Sequence, residues 1–224
     1  MLINDLKYFK HSSNYHNKYS GMDTPGKSNN SSRDFWEYPI QDFDYQFNSW
    51  GFRGPDYEQY IGKPVNICLG DSFTVNVGGP VEHSWCSQLA KHFDIPTVNL
   101  GMDGAGNDAI QLVHSRACEV FDVQDTFVMY SYIHRRLIDN AFRQNVHEDN
   151  ENFEYFNKQR IPNGIECALP KINWLDSERV FLQNLKIYFS DSSGTNRDGH
   201  HMNYDANKIY ADYLYTQWRK NNES

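Results

Sequence analysis

From about Phe47 onward the chain alternates short apolar runs with stretches in which apolar residues return every three or four positions. That alternation predicts parallel strands joined by helices that cover the sheet. Residues 65–69 (Val-Asn-Ile-Cys-Leu) predict a first strand ended by Gly70, residues 96–100 a second ended by Gly101, and residues 126–130 a third. Between them, Trp85/Cys86, Leu89/Ala90 and Phe93 recur at helical spacing, as do Ala109, Leu112/Val113, Ala117 and Val120/Phe121. Ala206, Ile209/Tyr210, Tyr213/Leu214 and Gln217/Trp218 predict a closing amphipathic helix. Residues 150–164 read as a polar insertion, and 180–189 fit either helix or strand. Residues 1–46 show little periodicity and read as a polar arm, which either wraps the domain through Phe35, Trp36 and Tyr38 or is partly disordered. Residues 47–224 are then one domain.

Composition narrows the function classes. At 224 residues the chain suits one domain with a sizeable core. Its net charge of −8 argues against nucleic-acid partners, which need a clustered basic surface. There is no run of about 18 apolar residues, so no membrane insertion is expected. The start, Met1-Leu2-Ile3-Asn4-Asp5-Leu6-Lys7, lacks the pattern of a signal peptide, so the expected location is cytoplasmic or otherwise without a classical export signal. Asn30-Ser31-Ser32 is accordingly read as a polar loop, not a glycosylation acceptor. Cys68, Cys86, Cys118 and Cys167 lie far apart, form no CxxC pair and are read as reduced.

In an α/β sheet, ligands gather beyond the carboxyl ends of the strands. The first strand runs into Gly70-Asp71-Ser72-Phe73-Thr74. A serine there can stand on a tight turn above the sheet, with its own N–H free for a developing oxyanion. Thr74 occupies the second glycine position of the general G-x-S-x-G elbow, so that motif is not matched. Asp and Ser are also good helix caps, and a plain loop with a cap fits the same residues. Just before the last helix stands Arg197-Asp198-Gly199-His200-His201. An Asp three residues ahead of a His can hold the second imidazole nitrogen and fix its tautomer, while a His-His pair by itself fits a surface loop or an opportunistic metal site.

Together these blocks resemble the SGNH, or GDSL-type, hydrolase family. Gly70-Asp71-Ser72 matches its first block, Asn99-Leu100-Gly101-Met102-Asp103-Gly104 is similar to its second, and Asp198-Gly199-His200-His201-Met202-Asn203 matches its last. Asn48-Ser49-Trp50-Gly51-Phe52-Arg53-Gly54 resembles a segment found upstream in some branches, so the likeness spans roughly residues 48–218. It implies a three-layer α/β/α sandwich with a parallel sheet, of flavodoxin-like type. It also implies an esterase with a Ser72–His201–Asp198 triad, no cofactor and no metal. Gly104 is the implied oxyanion-hole glycine beside the Ser72 N–H.

The third block departs from the family. The usual Gly-x-Asn-Asp is replaced by Ser131-Tyr132-Ile133-His134-Arg135-Arg136. His134 either supplies the missing oxyanion donor or begins a surface helix. Asn107 reads as an ordinary N-cap, and Arg53 as a structural cation before a substrate contact. The other histidines, His11, His16, His83, His92, His114 and His147, have no partners at meaningful spacing. The expected substrate is a small-molecule or carbohydrate acyl ester, with a small O-acyl group on sugar favoured because no long apolar lid is visible. An acyltransferase on the same scaffold, or a non-catalytic carbohydrate-binding module on a decayed hydrolase fold, are the alternatives. Oligomeric state is not readable from the sequence.

Overall fold

The computed structural model describes residues 16–17, 23, 43–139, 141–144, 149–166 and 201–223. In chain order the elements are β1 (His16–Asn17), β2 (Tyr45–Gln46), β3 (Pro64–Gly70), α1 (Ser72–Val75), α2 (Trp85–Ala90) and β4 (Thr97–Gly101). They continue with α3 (Asn107–Val120), β5 (Asp122–Met129), β6 (Arg135–Ile138), β7 (Ala141–Gln144), α4 (Asp149–Gln159), β8 (Ile165–Glu166) and α5 (Tyr204–Asn222).

The main sheet has the order β4-β3-β5-β8, and every neighbouring pair is parallel. The apolar run of β3 is nearly continuous because both of its faces are covered. Val65, Ile67 and Leu69 pack on one side with Ala109, Ile110, Val113 and Ala117 of α3. Cys68 faces the other side, with Phe127 and Met129 of β5, Trp85 and Leu89 of α2, and Tyr210 and Leu214 of α5. Each large apolar side chain so buried contributes roughly 1.5–3 kcal/mol. The result is the expected three-layer α/β/α arrangement.

Two readings of the sequence change. Residues 150–164 are not a polar insertion: most belong to α4, whose Phe156 is 1% exposed and meets Tyr130 edge to face at 5.0 Å. Phe153 and Phe156, one helical turn apart, give the segment an apolar stripe that its polar majority obscures. The segment after β5 forms no helix but the antiparallel hairpin β6–β7, with Leu137 opposite Phe142.

Near the start of the domain, β1 pairs with β2. Tyr45 is fully buried, donates to Asp23 Oδ2 at 2.7 Å and accepts from the Gly78 N–H at 2.7 Å. Burial and the Asp23 carboxylate push the Tyr45 phenol far above its ordinary pKa. Phe35, Trp36, Tyr38, Cys167, residues 180–189 and Asp198 lie outside the described residues. Among the described residues no helix is long and apolar enough to cross a membrane.

Candidate active site

Strands β4, β3 and β5 end level with one another. Gly70 pairs with Gly101 on one side and Met129 on the other. The loops carrying Ser72, Gly104 and residues 131–134 therefore leave from one carboxyl edge of the sheet. Thr74, fully buried, explains why two of these strand ends are glycine. A Cβ at Gly70 would overlap Thr74 Oγ1 and stand 2.8 Å from the Met129 carbonyl, while one at Gly101 would stand 2.8 Å from Thr74 Cβ. The residue that spoils the G-x-S-x-G pattern thus fills a notch made by two other glycines.

The cap reading of this turn holds. Asp71 is the N-cap of α1 and accepts from the Phe73 N–H at 3.2 Å. Ser72 begins that helix, and its Oγ lies 2.8 Å from His201 Nε2. Ser72 is 6% exposed and His201 1%, with the Phe73 ring 4.6 Å from the imidazole. A neutral imidazole protonated on Nδ1 accepts from the serine hydroxyl through Nε2, which is the geometry of a general base.

Two asparagines fix the histidine loop. Asn203 caps α5 by accepting from the Ala206 N–H at 3.0 Å. Asn207, fully buried, donates to Asn76 Oδ1 and to the Met202 and Asn203 carbonyls at 2.8–3.0 Å. Its own Oδ1 accepts from the Trp85 N–H at 2.8 Å. Asn76 is the left-handed C-cap of α1. One side chain therefore joins the serine helix, the histidine loop and the start of α2. The sequence offered a signal for it, a polar residue on the buried stripe of α5, which the reading passed over.

The third strand end is tied to the first. Asp71 Oδ2 accepts from Ser131 Oγ at 2.8 Å and from Arg135 Nη1 at 3.2 Å, and the Arg135 guanidinium lies 4.6 Å from the Tyr132 ring centre. Asn107 corrects its expected role: Gly106 is the N-cap of α3, while the Asn107 amide donates to the Ser131 carbonyl and accepts from the Ser131 N–H. His134 sits in the turn before β6, not at the head of a helix, partly exposed and with its ring 5.4 Å from that of Tyr132. Gly104 lies in the β4–α3 turn at φ +76°, a left-handed conformation that favours glycine.

Two further groups near the turn are structural. Arg53, 1% exposed, donates to the carbonyls of Val75, Asn76 and Gly79 at 2.5–3.0 Å and stacks 4.3 Å from the Tyr45 ring centre. Cys86 Sγ lies 3.9 Å from the Thr74 carbonyl; burial and the neighbouring Cys68 push its thiol pKa up, so it is a poor nucleophile. Cys68, Cys86 and Cys118 are free thiols. Among the described residues no group of three or more His, Cys, Asp or Glu side chains is placed to hold a metal ion.

No protein-family model matches the chain, and no curated protein does. Solved structures do align with it. A psychrotrophic esterase from Pseudoalteromonas sp., solved inhibited by monoethylphosphonate, aligns at 14% identity and a TM-score of 0.42, covering 72% of this chain and 99% of its own. A member of the lipolytic protein G-D-S-L family from Veillonella parvula aligns at 14% identity and a TM-score of 0.40, covering 69% and 97%.

Proposed function

We propose that the chain is a serine hydrolase of acyl esters. The observation that carries this reading is the 2.8 Å contact between Ser72 Oγ and His201 Nε2, two nearly buried residues 129 positions apart, at the carboxyl edge of the sheet. In the proposed reaction His201 takes the Ser72 proton as the serine oxygen attacks the ester carbonyl. Asp198 holds the imidazole's other nitrogen and stabilises the imidazolium. The oxyanion is held by the Ser72 and Gly104 N–H groups, neither of which has a protein acceptor among the described residues, and by the His134 ring. The alcohol leaves with the proton from His201, and water then releases the acyl group by the reverse of the same steps. The favoured substrate is a small O-acyl group on a carbohydrate.

Incubation with p-nitrophenyl acetate and a fluorophosphonate probe tests this directly. Wild type should turn over the ester and take the label at Ser72. Ser72→Ala should lose turnover by on the order of 10⁴-fold or more, and His201→Ala should fall severely while His200→Ala does not. Turnover or labelling that survives in Ser72→Ala sinks the assignment. Sugar acceptors added to the assay reveal acyl transfer if ester consumption outruns free acid released.

A further inference from the structure

We propose that Phe142, on the hairpin β6–β7, is the wall of the acyl pocket and confines the acyl group to acetyl or propionyl size. The inference deepens the esterase reading and rests on Gly104 being an oxyanion donor. A Cβ built at Gly104 would stand 3.6 Å from Phe142 Cδ2 and 3.9 Å from Phe142 Cβ. The ring therefore faces Gly104, in the turn whose N–H would hold the carbonyl oxygen, closely enough that a single added methyl group would touch it. The acyl chain starts one bond from that carbonyl carbon, so a longer chain directed toward the hairpin meets this ring first. Phe142 is only partly buried and packs against the α3-side core.

The wall is fixed, because β6 is fastened along its length. Its Arg135 bonds Asp71 beneath the nucleophile. Arg136, buried, donates to Asn152 Oδ1 at 2.8 Å and lies 3.8 Å from the Tyr155 ring centre. The Leu137 N–H donates to Asp108 Oδ2 at 2.8 Å, and Leu137 is the strand partner of Phe142. A Cβ at Gly106 would stand 2.8 Å from the Arg135 carbonyl, so the hairpin also lies directly on the head of α3. Moving Phe142 aside would break these contacts together, which suits a rigid sieve better than a lid. Shape exclusion of this kind acts on chain length and leaves acetate chemistry in place.

The test is the ratio of kcat/KM for p-nitrophenyl hexanoate to that for p-nitrophenyl acetate, in the full chain. Wild type should favour acetate. Phe142→Ala should raise the ratio at least tenfold, and Phe142→Leu, which keeps most of the packing if alanine fails to fold, should raise it by a smaller factor. An unchanged ratio in a folded variant, with acetate still turned over, overturns the wall alone. A wild type that hydrolyses neither ester and takes no fluorophosphonate label sinks the hydrolase reading and the wall with it.

Discussion

Asp71 performs three tasks at once: it caps α1, accepts the Ser131 hydroxyl and pairs with Arg135, all while fully buried. A buried carboxylate needs such partners, since an unpaired one costs several kcal/mol. The chain thus ties its third strand end to its first through Ser131 and Arg135, where the family pattern led one to expect an asparagine. In the proposed reaction the third oxyanion donor is His134. His134→Ala should lower kcat by about 10²-fold with little change in KM, and His134→Asn should recover part of the loss. Steady-state kinetics on an acetyl ester decide it; an alanine variant with wild-type kcat would remove His134 from the hole. Ser72 and His201 were legible because their residue types stand at set offsets from a strand end and a helix start. Arg135 was not, because its partner lies 64 positions away and nothing local to the Arg135-Arg136 pair announces it.

The strands of the sheet were the most readable elements, since burial on both faces leaves an unbroken apolar run bounded by glycine. Helix α4 was the least, its two phenylalanines being outnumbered by Asn, Glu and Lys. Helix α5 was read correctly as amphipathic, yet its most consequential residue is a polar one. Asn207 meets four backbone or side-chain partners in three elements. Asn207→Ala leaves those groups without it and should cost about 2–4 kcal/mol in chemical denaturation, a buried unpaired group being worth about 1–3 kcal/mol. Because it sets the height of the His201 loop against α1, the same variant should lose kcat by roughly 10–100-fold, a small misplacement sufficing for that. KM should move little. A variant that is destabilised but keeps full kcat would reduce Asn207 to a packing role.

Among the described residues the two apolar layers each contain one fully enclosed tryptophan, Trp50 on the α3 side and Trp85 on the α5 side, so fluorescence reports on both. The Ser72–His201 contact joins α1 to the loop before α5 at the carboxyl edge of the sheet. Loss of esterase activity, loss of helical circular dichroism and the change in tryptophan emission should therefore share one urea midpoint, as two-state unfolding requires. Activity vanishing at markedly lower urea would show α5 detaching before the sheet melts. The separation of the contact's two residues also bears on synthesis. Domains assemble from the amino end as the ribosome releases them, and β3, α1 and β4 are available long before His201. The nascent polypeptide carries Ser72 without its histidine partner until the stretch bearing His201 and α5 emerges and docks. On the proposed function, hydrolytic competence waits for that docking.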